Sequence, residues 1–173
     1  MTFAIRATRK ALDRLGGAAA SDAESPTTAL GDWYVNLVYV GRSQFVLCTS
    51  DKSLLSVVLP ARRLKSELTS RLREGVTQLL TDLNIPSRCI ARELHEMSSS
   101  VISRTSSKSV LGSMNDFAFL LEVAVRQQPD ITPRALSLEL SGTPCQPLDA
   151  QYKTAFPDHV ARRLLGCEER PAG

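Results

Sequence analysis

Little in this 173-residue chain supplies ready-made chemistry. There are two histidines, so a two-histidine zinc helix has no material to form from: His95 lies between Glu93 and Glu96 with no second histidine near it. Nor does a serine such as Ser99 or Ser113 have a histidine and an acid in recognisable positions, which excludes a legible nucleophilic triad. Cys48, Cys89, Cys145 and Cys167 are far apart, without the close pairs of a zinc site. No Gly-x-x-x-x-Gly-Lys loop is present, and no apolar run is long enough to span a bilayer. The start, Met-Thr-Phe-Ala-Ile-Arg, lacks the apolar run of a signal peptide, so a reducing cytoplasm and no membrane are expected. Aromatics are only 5% of the residues, and a net charge of +3 is too small for strong sequence-independent nucleic-acid affinity. We therefore assign no catalytic residue, no metal and no cofactor.

What is present is globular patterning. Phe3 to Thr8 reads as a strand, with Thr8 capping a helix from Arg9 to Leu15 that stops at Gly16-Gly17. Residues 17–31 read as a mobile loop. Three strands follow between Trp33 and Leu59, turning at Gly41-Arg42-Ser43 and Ser50-Asp51-Lys52. The near-continuous apolar run 35–40 predicts a strand covered on both faces. Leu64, Leu68, Leu72, Val76, Leu79 and Leu80 recur at helical spacing and predict a helix over 62–83. Ser87 is placed as the cap of a shorter helix, residues 101–105 as a strand, and 109–127 as an apolar helix. In the tail, Leu136, Leu138 and Leu140 alternate with Ser137, Glu139 and Ser141, a period that favours a strand, and residues 157–165 read as a last helix. Cys48 and Cys89 read as buried thiols; Cys145 and Cys167 are a pair that can approach.

The pattern predicts an α+β (or α/β) fold: a mostly antiparallel sheet of four to six strands with helices on one face. The division expected is a core domain over 1–128, including the mobile loop 17–31, and a C-terminal extension over 129–173.

The densest candidate chemistry lies between Arg104 and Asp116, where a basic, hydroxyl-rich turn enters a helix. Helix N-termini present unpaired amides to anions, so Arg104, Lys108 and Ser109 form a candidate phosphate cradle. The competing reading makes Ser107 or Ser109 a plain cap and uses Gly112 for close packing on the sheet. Asn115 and Asp116 are candidates to orient a ligand, although one acid is poor metal chemistry. Arg6 and Thr8 share a strand face and Lys10 opens the next helix; Asn36, beside Trp33, is a further polar candidate, while Trp33 itself reads as core. The candidate anion-binding set is thus Arg6, Thr8, Lys10, Asn36, Arg104, Lys108, Ser109 and Asn115. Basic residues are also frequent in 1–16 and 62–74, which read mainly as solvated helix faces.

Four stretches carry a family resemblance: Arg6-Ala7-Thr8-Arg9-Lys10-Ala11-Leu12, Asp32-Trp33-Tyr34-Val35-Asn36-Leu37, Asp51-Lys52-Ser53-Leu54, and Arg104 to Asp116. On these the chain resembles a family of small bacterial domains of unknown function over residues 3–125, with the tail outside the pattern. The resemblance implies a bacterial origin and carries no activity.

The leading expectation is a non-catalytic binding or regulatory module that engages a protein or anionic partner through a basic face. Nucleic-acid binding is the second reading. A phosphate-handling or hydrolytic enzyme around Arg104, Lys108, Asn115 and Asp116 is the third. A protein partner or a second copy of the chain remains open as the occupant.

Overall fold

A computed structural model describes residues 1–20, 24–146 and 154–167. Residues 21–23 of the 17–31 loop, Pro147 of the proline-rich turn, and 147–153 and 168–173 of the extension lie outside the described residues.

Local chemistry sets the first elements as expected. Strand β1 (Phe3–Ala7) ends at Thr8, whose hydroxyl accepts the Ala11 amide at 3.4 Å and opens helix α1 (Arg9–Leu15). Gly16, at φ 108°, closes that helix in the left-handed conformation. Strands β2 (Trp33–Val40), β3 (Ser43–Ser50) and β4 (Ser56–Pro60) form an antiparallel meander. Gly41, at φ 58°, holds the first place of a two-residue turn and leaves Arg42 at its tip. Then come α2 (Leu64–Asp82), α3 (Ser87–Glu96), β5 (Ser100–Arg104), α4 (Lys108–Gln127), α5 (Pro133–Ser141) and α6 (Pro157–Leu164). Ser87 is the first helical residue of α3 and Pro86 takes the cap position, without a side-chain bond.

The strands form one five-stranded sheet in the order β4-β3-β2-β1-β5. The meander makes it mostly antiparallel, while β1 runs parallel to both β2 and β5. The fold is α+β, but the helices do not share one face. Side chains alternate along β2: Trp33, Val35 and Leu37 enter one core with α1, α2, α3 and α6, and Tyr34, Val38 and Val40 enter another with α4 and α5. The run 35–40 already demanded cover on both sides; one-face packing is therefore corrected.

The tail corrects a second expectation. Residues 133–141 are helical, because Thr132 accepts the Ala135 amide at 3.1 Å and Pro133 takes a first-turn position. Leu136 and Leu140 are buried at i, i+4 spacing, and Leu138, which shared their period of two, is 42% exposed. Helix α5 also covers the β4 edge, where Ser137 accepts the Val58 amide at 2.8 Å. The extension thus completes the second core.

Two cysteine expectations also change. Cys89 is bonded to Cys167 across 78 residues, tying α3 to the segment after α6, so Cys145 is not the partner of Cys167. Cys48 is the buried thiol it was read as, and burial raises its pKa. The loop before β2 is anchored in its described part: buried Glu93 accepts the Ala29 and Leu30 amides at 2.8 and 3.0 Å. Burial raises the Glu93 pKa, opposed by those two amides. No described helix is long and apolar enough to cross a membrane.

Candidate functional site

Parallel pairing aligns the carboxyl ends of β1 and β5, with Ala7 opposite Arg104. The helices that follow them leave to opposite sides of the sheet: α1 packs in the first core, α4 in the second. Such a switch opens a crevice beyond the strand ends, where open sheets hold their ligands. A cleft of about 480 Å³ lies there, with Ala7, Arg9, Leu12 and Asp13 on one wall and Arg104 and Thr105 on the other.

Several predicted residues meet at this end, in two different roles. Arg6 is committed to the scaffold: its Nε donates to Asp32 Oδ2 at 2.7 Å and an Nη donates to the Arg104 carbonyl at 3.3 Å. Asp32 is 2% exposed, so its charge is compensated by Arg6 and by the Ala4 amide at 2.8 Å. Removing Arg6 would strand a buried carboxylate, a loss of about 3–5 kcal/mol for such pairs. Thr8 donates to Asn36 Oδ1 at 2.8 Å, and that oxygen also accepts the Leu37 amide at 2.9 Å. These bonds hold the β1–α1 turn against β2. Lys10 lies over the Tyr39 ring, 5.4 Å from its centroid.

The other cluster is open. Ser107 is the N-cap of α4, accepting the Val110 amide at 3.2 Å, so capping falls to Ser107 and leaves Ser109 free of it. Tyr34 accepts the Ser107 amide at 3.1 Å and exchanges a hydrogen bond with the Ser106 hydroxyl at 3.2 Å. The next two amides, of Lys108 and Ser109, have no hydrogen-bond partner among the described residues. The Arg104, Lys108 and Ser109 side chains are exposed, and none of the three forms an ion pair among the described residues. The 20-residue α4 adds the positive end of its dipole.

Asn115 and Asp116 are exposed further along α4. Asp116 lines a different cleft with Ser113 and Thr143, and no contact joins it to Arg104 or Lys108. Gly112 corrects another expectation: a Cβ there would meet nothing within 4 Å, so it is not needed for packing on the sheet. No group of three or more histidine, cysteine or acidic residues suited to a metal is present among the described residues.

Asp32, Tyr34, Arg9 and Thr105 are contributors that sequence reasoning did not assign. A signal existed for the first two. Asp32, Tyr34 and Asn36 alternate with Trp33, Val35 and Leu37, marking a polar-edged face along β2. Asp51 extends this network: it accepts the Asp32 amide at 3.0 Å, and burial plus the Asp32 carboxylate push its pKa up to about 6.

The family whose model matches this chain is described as Domain of unknown function (DUF6933), over residues 4–159. The chain belongs to that family, and the match runs through α5 into α6, beyond the 3–125 span of the sequence resemblance. No curated protein and no solved structure matches it.

Proposed function

We propose that this member of the family is a non-catalytic binding module that engages an anionic partner at the carboxyl ends of β1 and β5. One observation carries the reading: Arg104, on the wall of the crevice where α1 and α4 part, and Lys108, the first residue of α4, stand exposed and unpaired near the free Lys108 and Ser109 amides. Backbone amides, two cations and a helix dipole there favour a phosphate or carboxylate group. Arg6, Thr8, Asn36 and Tyr34 position this end of the sheet and do not contact the partner themselves.

The test is calorimetric titration and thermal shift with inorganic pyrophosphate, comparing the natural chain with Arg104→Gln/Lys108→Gln. At a ligand concentration one hundred times Kd, a folded-state ligand stabilises by about 2.7 kcal/mol. The expected result is that stabilisation in the natural chain, its loss in the double variant, and recovery of the pyrophosphate intact. Equal stabilisation of both proteins, or of neither, overturns the reading.

A bacterial cytoplasmic setting belongs to the same proposal, and Cys89 with Cys167 tests it. Disulfides are rare in a reducing cytoplasm. Free thiols in acid-quenched cell extract support that setting; a bonded pair there assigns an oxidising compartment.

A further inference from the structure

A second cleft, of about 950 Å³, opens between the end of α1, the β2–β3 turn and the β4–α2 turn. Helix α1 contributes to both clefts, with Arg9 and Asp13 in the first and Arg14 in the second. Five arginines line this second cleft: Arg14, Arg42, Arg62, Arg63 and Arg71. No carboxylate is among the residues lining it.

The five have different duties. Arg71 braces the β4–α2 turn, donating to the carbonyls of Pro60 and Arg62 and pairing with Glu67 at 2.8 Å. Arg63 is 3.5 Å from Glu67 with its side chain 79% exposed. Arg14, Arg42 and Arg62 are exposed, with no ion pair or side-chain hydrogen bond among the described residues. Three exposed guanidinium groups without an acidic partner, contributed by three separate segments, give the cleft a positive potential that favours an anion.

Arg63 adds an independent sign. It holds the cap position of α2 at φ 50°, in the left-handed region, without a side-chain capping bond. Glycine or asparagine suits that backbone better, and Ser, Thr, Asp or Asn suits the cap. An arginine that breaks both local rules beside three unpaired arginines fits a site selected for charge.

We propose that this cleft binds the sugar–phosphate backbone of single-stranded nucleic acid. Small-molecule sites enclose their ligand in mainly apolar walls. This cleft is open and rimmed by guanidinium forks, which match phosphate oxygens in pairs. The planar guanidinium groups that line it offer faces on which unpaired bases stack. The site is separate from the anion site at Arg104 and stands or falls on its own.

The experiment is fluorescence anisotropy of the full chain with a labelled oligouridylate of about 12 nucleotides, within the range of ~4–16 seen for single-strand sites. Salt is varied between about 50 and 200 mM. Three or four phosphate contacts predict a slope of log K against log salt of roughly −2 to −3, and each Arg→Gln change lowers its magnitude by about 0.7. Arg14→Gln/Arg42→Gln/Arg62→Gln is expected to remove measurable binding with an unchanged circular dichroism spectrum. Arg63→Gly is expected to weaken binding without lowering Tm, because glycine accepts the left-handed backbone. Arg104→Gln/Lys108→Gln is expected to bind the oligonucleotide like the natural chain. Absence of binding at the lowest salt, natural affinity in the triple variant, or equal competition by polyglutamate overturns the proposal. The last outcome assigns the cleft to an acidic protein segment.

Discussion

Two glycines in helices of this protein make opposite predictions for one and the same substitution. Gly75 lies in α2 where that helix crosses β4, and a Cβ there would sit 2.5 Å from Val57 Cγ1 and 3.1 Å from Leu59 Cδ2. Val57 is 1% exposed, β-branched and fixed in the β3–β4 ladder, so it has little freedom to withdraw. Gly75→Ala gains about 1 kcal/mol of helix propensity but incurs overpacking of about 1–3 kcal/mol. The expected net effect is a destabilisation of roughly 1 kcal/mol. Gly112, exposed in α4 with no atom within 4 Å of its Cβ position, has only the propensity term. Gly112→Ala should therefore stabilise by about 0.5–1 kcal/mol. Urea denaturation reads both, with the midpoint moving in opposite directions at constant m. Val57→Ala placed under Gly75→Ala should recover about 1 kcal/mol as a coupling term, since it removes the methyl that clashes. A Gly75→Ala protein more stable than the natural chain, with no coupling to Val57, would refute the close approach of α2 to β4.

The two-sided sheet predicts that Leu72→Ala, in the first core, and Leu121→Ala, in the second, each cost about 2–5 kcal/mol by thermal or urea melting. A near-natural Tm in the Leu121 variant would remove the second core from the account. Asp51 supplies a pH dependence: its folded pKa of about 6 lies above its ordinary 3.8, so the folded state holds that proton more tightly. The stability from this group is complete below about pH 4 and is lost as pH rises through about 6. Partial exposure reduces the effect to about 1–2 kcal/mol. Asp51→Asn, which keeps an acceptor for the Asp32 amide, should raise stability by about 1 kcal/mol near pH 7.5 and give no gain near pH 4.

Much of the scaffold was legible because its signals are local. Thr8 as a cap, Gly41 at a tight turn, the leucine stripe of α2 and the strand 100–104 before α4 each rest on residues within one or two turns of one another. The misread parts depend on partners far along the chain. Leu136, Leu138 and Leu140 satisfy the strand period as well as the helix period, and the decision came from Thr132-Pro133 upstream and from the β4 edge that Ser137 caps. The Cys89–Cys167 bond spans 78 residues, and nothing local in the sequence marks it. The candidate site was half legible for the same reason. Arg104, Lys108 and Ser109 follow from the turn itself, whereas the capture of Arg6 by Asp32 and of Thr8 by Asn36 needs the parallel pairing of β1 and β2. The arginines of 1–16 and 62–74 read as solvated faces until the fold brings Arg14 and Arg62 to one cleft with Arg42 of the β2–β3 turn.

The central claim, an anion site where β1 and β5 end, is tested most directly by following backbone amides in an NMR titration with inorganic pyrophosphate. Saturable shifts confined to Ser106 through Ser109 and the facing Thr8–Arg9 turn, absent in Arg104→Gln/Lys108→Gln, are the predicted result. Shifts scattered over the surface, or a silent Lys108 and Ser109 at saturating ligand, would contradict the account and leave Ser107 as a helix cap with no ligand to serve.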